Sequence, residues 1–449
     1  MNIWVICGQV SFLILILFFL FFTLFNLLEK EKKAFIRSSL ILALLVIISS
    51  GFSLTSFPLK NWLFGGTVVL LFVILLILIL SPTPKSQIQI IGPQKRIDER
   101  DAIFSRFDLK EGTKRFIEYY KQKPHFKKID EEIRKFPDIL SHNHIKKNPW
   151  LFSLSAAEFD FLEYQLSQVD GKINAKSRKL SHEKNTRMVK GLMKYLGADL
   201  CGICELDEAY VYSNVGRGPE FFGEEINLSH KYAIVFAVEM DFSLVASAPN
   251  SPVIVETAKK YVEAARISIT MANCIRRLGH TARAHIAGSN YQAILPPLAW
   301  KAGLGELGRM GTLISWKYGP RVRLGLITTN LPILPDKPIC FGVQDFCEKC
   351  LKCAHCCPSN AIPAGPKTEE NGVLKWVLKR EECYRFWRRV GTDCAICMYV
   401  CPYSKPDNIF HNVIRKMTSR SSAIQTLSVW SDDFFYGRRP KPRKGCLEF

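Results

Sequence analysis

Near the C-terminus, eight cysteines fall into a pattern that few folds satisfy. The first run is Cys347-x2-Cys350-x2-Cys353-x3-Cys357-Pro358. The second is Cys394-x2-Cys397-x3-Cys401-Pro402, with Cys383 upstream. The first run has the bacterial ferredoxin spacing for a [4Fe–4S] cluster, terminal proline included. Its first three thiolates wrap one cube, and its fourth cysteine ligates the other cluster. Two runs therefore imply two clusters that exchange ligands. Cys347, Cys350, Cys353 and Cys401 are assigned to cluster one. Cys357, Cys383, Cys394 and Cys397 are assigned to cluster two. Zinc knuckles want four ligands in two pairs, which this pattern does not offer. A disulfide scaffold suits small secreted domains, not 449 residues with adjacent Cys356 and Cys357. The pattern predicts a chain that moves electrons.

The apolar residues are unevenly distributed. Residues 1–81 carry only Glu29, Lys30, Glu31, Lys32, Lys33, Arg37 and Lys60 as charges. Apolar runs at about 3–27, 38–57 and 61–80 are each long enough to cross a bilayer core of roughly 30 Å. The first lacks the basic start of a signal peptide, and two more follow it; a twin-arginine signal is also not seen. Three transmembrane helices are expected. Lys30, Lys32, Lys33 and Arg37 follow span one, and Lys85, Lys95, Arg96 and Arg100 follow span three. By the distribution of Lys and Arg, that side is the cytoplasm. A multi-pass membrane protein with its large domain in the cytoplasm is expected, where clusters are assembled. The net charge of +20 suits anionic lipid. Its scattered basic residues fit nucleic acid less well.

Five segments are expected: a three-helix anchor (1–81), a charged, proline-rich tether and wrapping segment (82–150), a core (151–335), a two-cluster ferredoxin module (336–410) and a C-terminal tail packed on the core (411–449). Ser181 caps a predicted helix over 182–196, which Gly197 ends. Residues 232–238 and 321–328 read as strands, and Pro252 opens a long helix reaching about Leu278. Alternating strands and helices predict an α/β core.

Gly303-x-Gly305-x-x-Gly308 has the dinucleotide spacing but no preceding strand and no acidic partner downstream. Cys201-x2-Cys204 sits in an apolar stretch and reads as inert buried thiols. His280 and His285 have no partner ligands at fitting spacing.

Several segments together resemble the reductive dehalogenases. They are Gly197-Ala198-Asp199-Leu200, Leu206 to Tyr212, Glu239-Met240-Asp241, Ala302 to Arg309, Tyr318 to Arg323, the cluster runs in family order, and Trp430 to Gly437. The resemblance covers about residues 180–440. It implies a nitroreductase-like α/β core, with cobalamin held base-off and so without a protein ligand to cobalt. Two [4Fe–4S] clusters would supply electrons, and an organic halogen would be replaced by hydrogen. Gly303, Gly305 and Gly308 would lie near the corrinoid. The family's proton-donating tyrosine would follow the Met-Asp pair, where this chain has Phe242. Arg309 matches the basic residue that serves that tyrosine, and Asn273 a polar neighbour. Asp241 becomes the substitute acid, as in the related epoxyqueuosine reductases. The three spans resemble the small anchor protein that accompanies these enzymes, with Glu29-Lys30-Glu31 matching its Glu-x-Glu element.

The resemblance thus implies a membrane-anchored reductase acting on a small organohalide. Its electron donor would be quinone-linked, or a soluble ferredoxin or flavodoxin. The alternatives are an epoxyqueuosine-reductase-like corrinoid enzyme and a non-catalytic ferredoxin-type relay. The membrane spans argue against the first. The second leaves some 150 residues before the clusters without a task.

Overall fold

The computed structural model describes all residues except 1, 2, 142, 145–147, 177–179, 219, 220, 289, 290, 444–446, 448 and 449. The chain forms two compact units. One comprises residues 1–85 and 407–440, the other 86–406 and 441–449.

In the first unit, α1 (Ile3–Leu28), α2 (Lys32–Leu54) and α3 (Phe57–Leu80) are long and apolar enough to cross a membrane. At 1.5 Å per residue, each exceeds the roughly 30 Å of a hydrocarbon core. Ser39, Ser53 and Thr67 each donate to the carbonyl four residues back, and Thr23 Oγ1 donates across to Ser38 Oγ on α2. Gly8 lets α1 meet α3 closely. A Cβ there would stand 2.5 Å from the Cβ of Phe64, which is fully buried.

Two further helices belong to this unit, α16 (Ile409–Thr418) and α17 (Ser422–Tyr436). Phe435 packs with Phe22 and Ala34, and Tyr436 Oη donates to Asn26 Oδ1 at 3.2 Å. The tail was expected on the core, but residues 407–440 join the anchor. Their aromatic face finds apolar partners at the ends of α1 and α2, which explains the difference.

The second unit is built on a four-stranded sheet of β2 (Leu200–Glu205), β3 (Tyr232–Glu239), β4 (Ala282–His285) and β7 (Val322–Thr329), in the order β2-β3-β7-β4. Strands and helices alternate in sequence as expected, yet every pairing is antiparallel. Alternation along β3 sends Ile234, Phe236 and Val238 to one face and Ala233, Val235 and Ala237 to the other. The first face is covered by α10 (Pro252–Arg277), with α7 (Pro149–Tyr164) and α8 (His182–Tyr195) completing that core. The second face meets α11 (Leu295–Lys301). Helix α8 begins as expected, with Ser181 Oγ accepting from Lys184 N. Short α9 (Phe242–Val245) follows β3.

The segment after the anchor was expected to be irregular. It contains α4 (Ile103–Asp108), α5 (Lys114–Gln122) and α6 (Pro124–Arg134). Its fully buried Arg106 reaches Asp130 at 3.4 Å and Glu381 at 2.8 Å. Opposite charges that would otherwise face water thus hold it against α14 (Arg380–Val390). Further upstream, β1 (Gln89–Ile90) pairs with β9 (Val373–Lys375), which pairs with β8 (Thr368–Glu370). The hairpin of β5 (Gly305–Leu307) and β6 (Leu313–Ser315) carries Arg309 at its turn.

Candidate functional site

The two cysteine runs fold with the same local device. Helix α12 (Val343–Cys350) ends at Cys350, Leu351 takes φ 54°, and α13 (Lys352–Cys356) begins. In the second run Ala395 takes φ 46° between Cys394 and α15 (Ile396–Val400). A left-handed residue with a side chain costs energy and persists only where the surroundings demand it. Here it turns successive cysteines toward a common centre.

The electrostatic neighbours of the thiols fall into two sets. Burial pushes Cys401 well up, and Cys347, Cys350 and Cys353 push it further. Burial likewise raises Cys397, assisted by Cys394, Cys383 and Cys357. Cys394 goes up to about 12 through burial, with Cys383 and Cys357 adding to it. Cys383, on α14, is raised to about 11 by burial and then by Cys357. The thiols that neighbour one another are therefore grouped in the same sets as the crossed arrangement inferred from spacing. Cys353 also feels Cys397, so the two sets are neighbours. No group of three or more His, Cys, Asp or Glu among the described residues converges to hold a single ion. A cube spreads its ligands wider than one ion does. Buried thiols that resist ionisation in apolar surroundings lose their protons to iron, so the donor set fits two [4Fe–4S] clusters.

Arg309 lies beside cluster one. Its Nε donates to the Cys347 carbonyl at 3.0 Å, and Nη1 to the carbonyls of Pro363 and Gly365. The guanidinium covers the Trp376 ring at 4.4 Å. These bonds fasten Arg309 to the loop that carries Cys347. The three glycines answer to protein packing. A Cβ on Gly303 would meet Lys337 O at 2.7 Å, on Gly305 Ile314 O at 2.2 Å, and on Gly308 Ile314 Cδ1 at 2.4 Å.

Asp241 caps α9. Its Oδ1 accepts from Ser243 N, Leu244 N and Ser243 Oγ at 2.8, 3.0 and 2.5 Å. Burial pushes its carboxyl up, but these bonds and nearby Arg321 outweigh that, and the net shift is downward. A carboxylate held this way is a poor acid. Phe242 lies against Tyr399, with Arg321 and Arg443 over its ring at 5.4 and 5.2 Å. Asn273 is exposed near the far end of α10, roughly 25 Å along the helix from Glu256, which accepts the Asp241 N–H. It does not join Asp241.

A different phenol and guanidinium do come together. Tyr261 stands one helical turn beyond Thr257 on α10, so both share a face. Arg323, on the facing strand β7, lies over the Tyr261 ring with its guanidinium carbon 5.1 Å from the centroid. Its Nη2 donates to Thr257 Oγ1 at 2.6 Å and Asp393 Oδ2 at 2.9 Å, and Thr257 Oγ1 donates to the same Asp393 oxygen at 2.5 Å. Burial pulls Arg323 down, but Tyr261, Asp393 and Tyr291 more than offset this and keep it charged. Asp393 directly precedes Cys394. Tyr291 adjoins the pair and belongs to both sheet-face cores. His285 fixes the Tyr291 backbone: Nδ1 bonds the Tyr291 carbonyl, and Nε2 bonds Thr328 Oγ1 at 2.9 Å. Arg323 Nε and Asp393 Oδ1 are buried without a protein partner. The sequence reading missed Tyr261 and Arg323, because they lie on different elements and no local motif joins them. The helical spacing of Thr257 and Tyr261, and the charge inside an apolar strand at Arg323, are the only signals.

Residues 346–405 match the model of a 4Fe-4S dicluster domain. This is an iron–sulfur protein with a ferredoxin-like two-cluster domain. The chain is 33% identical over 285 residues to the tetrachloroethene reductive dehalogenase of Dehalobacter restrictus, covering 53% of this chain and 51% of that one. It is 31% identical over 282 residues to the enzyme of that description from Sulfurospirillum multivorans, covering 55% and 56%. A solved catabolic reductive dehalogenase in complex with 3-bromo-4-hydroxybenzoic acid superposes with a TM-score of 0.64 at 26% identity, over 80% of this chain and 49% of that one. The chain spans about half the length of the curated relatives it matches. Over the matched residues it is a homologue of the reductive dehalogenases, with their fold.

Proposed function

We propose that the protein is a membrane-anchored reductase that removes halogen from a small organohalide, using two [4Fe–4S] clusters and base-off cobalamin. The observation that carries this reading is the continuous path from Tyr261 through Arg323 and Asp393 to Cys394. It joins a proton source to a cluster ligand. The net reaction takes two electrons and one proton, and converts a carbon–halogen bond into carbon–hydrogen plus halide. Cobalamin, when bound, would supply the low-potential reducing centre for breaking the carbon–halogen bond. Tyr261 Oη supplies the proton to carbon. The fixed charge of Arg323 stabilises the tyrosinate left behind, and Thr257 and Asp393 hold that guanidinium in place. The unpartnered Arg323 Nε and Asp393 Oδ1 supply polar groups on which a large polar cofactor can bind.

Tyr261 and Arg323 thus take the roles that the sequence resemblance gave to a tyrosine at position 242 and to Arg309. Phe242 ceases to be an obstacle. Electrons reach the clusters from a quinone-linked or soluble low-potential carrier. The basic residues after spans one and three support a cytoplasmic orientation for the segment that follows the spans. Anaerobic reconstitution of the full chain with iron, sulfide and cobalamin, followed by halide-release assays, tests the reading. Release of halide by the natural protein and its loss in Tyr261→Phe support it.

A further inference from the structure

The anchor unit contains a surface that neither the clusters nor the proposed reaction uses. Helices α16 and α17 each expose an apolar stripe at helical spacing. On α16 the stripe is Ile409, Val413 and Met417, four residues apart, with Ile409 79% exposed. On α17 it is Leu427, Trp430 and Phe434, with Trp430 61% exposed. Side chains at these spacings share one helix face. Large apolar side chains this exposed on adjacent helices need an occupant.

The tethers of these helices say where the stripes lie. At the start of α17, Ser421 Oγ donates to Leu78 O at 2.7 Å, and Ala423 N to Ser81 Oγ at 2.8 Å. Both acceptors are at the C-terminal end of α3. At its other end, the Phe435 ring meets Phe22 at 4.7 Å, near the end of α1. At the start of α16, Glu29 accepts from Asn408 Nδ2 at 2.6 Å and from His411 Nε2 at 2.9 Å. Span one ends, span two begins and span three ends at this one end of the bundle. A 15-residue helix, roughly 22 Å long, is thus fastened across the mouth of the three spans. It cannot stand along the bilayer normal. Exposed basic residues sit at the same end: Lys32 and Lys33 at the start of α2, and Lys416, Arg420 and Arg439 around the two stripes.

We infer that α16 and α17 form an interfacial platform that lies in the headgroup region of the cytoplasmic leaflet and binds anionic lipid. The apolar stripes enter the acyl boundary, the tryptophan sits at headgroup level, and the basic side chains meet lipid phosphates. Lipid is the occupant because the platform is tied to Leu78 and Ser81 at the end of α3, where Leu76, Ile77, Ile79 and Leu80 are themselves exposed apolar residues. The inference rests on reading α1–α3 as membrane spans.

The test uses the full-length holoprotein in nanodiscs that carry a phospholipid with a photoactivatable group close to the glycerol. Discs contain phosphatidylcholine alone, or phosphatidylcholine with phosphatidylglycerol. Labelled peptides are mapped by mass spectrometry. Labelling of 409–417 and 427–434, stronger in the anionic discs, is the expected result. It should be lost in a Val413→Glu, Trp430→Glu variant whose spans still label. Labelled spans with an unlabelled platform overturn the inference. So do crosslinks from the platform to a second copy in place of lipid, and equal labelling in both discs overturns the anionic preference. Unlabelled spans would instead remove the membrane reading on which the inference depends.

Discussion

Arg323 lies over the ring of Tyr261, its guanidinium carbon 5.1 Å from the centroid. The two side chains reach each other from a helix and a strand packed face to face. Arg323 is held there by Thr257 and Asp393, and Asp393 neighbours Cys394 in the chain. That relationship, more than any local motif, marks where the chemistry is proposed to occur.

Tyr261→Phe should lower the rate of halide release by about 10²–10⁴-fold, the usual contribution of a positioned proton donor. Iron content and corrinoid binding should not change. Arg323→Met should lower the rate as well, and shift the pH dependence of whatever turnover remains. Initial rates across a pH series, with metal analysis of each variant, check this. Wild-type turnover in Tyr261→Phe would remove the residue from the reaction.

Asp241 should prove dispensable for proton transfer. Asp241→Asn retains a side-chain oxygen for the Ser243 and Leu244 N–H groups, and turnover should stay near wild type. Asp241→Ala removes the cap and should cost about 1 kcal/mol of stability, again with turnover intact. Halide release and thermal unfolding of both variants decide the matter. Loss of activity in Asp241→Asn with unchanged stability would restore the aspartate as the acid.

The crossed cysteine sets make a separable prediction. Cys401→Ala should damage the cluster held by Cys347, Cys350 and Cys353, despite standing in the other run. A Cys347→Ala, Cys401→Ala double variant should lose no more than one cluster, because both changes strike the same site. Cys383→Ala should damage the other cluster. Iron analysis and low-temperature electron paramagnetic resonance read this directly. Loss of both clusters' signals in Cys347→Ala, Cys401→Ala alone would contradict the pairing.

How much of this was legible in sequence differed between elements. The cysteine runs were legible because a cube fixes ligand spacing within a few residues, and α8, β3, α10 and β7 because capping and periodicity are local. Tyr261 and Arg323 were not. They come together only when α10 crosses the sheet, a juxtaposition that no local motif announces. Residues 411–440 join the anchor unit instead of the core, for a related reason. Its aromatic face shows that it packs, but not against what. Arg309 was recognised as special, but only its hydrogen bonds show that it serves the cluster one loop.

His285 should make stability fall with acid. Burial holds its folded pKa down to about 3, against 6.5 for the free side chain. The unfolded chain therefore binds a proton below pH 6.5 that the native protein refuses. Stability is fully present above pH 6.5 and is lost as pH falls from there toward 3. The slope is at most about 1.4 kcal/mol per pH unit from this group. His285→Gln should flatten that slope between pH 6.5 and 5 in denaturant unfolding. An unchanged slope would contradict the assignment.

We propose that electrons passing through two clusters end on a corrinoid beside Tyr261. Cobalt and iron analysis of anaerobically reconstituted full-length protein, coupled to halide release from an organohalide panel, tests it most directly. The expected result is about one cobalt and about eight iron per chain, with halide release that disappears in Tyr261→Phe. Protein that holds its iron but takes up no cobalt, and releases no halide, would contradict it.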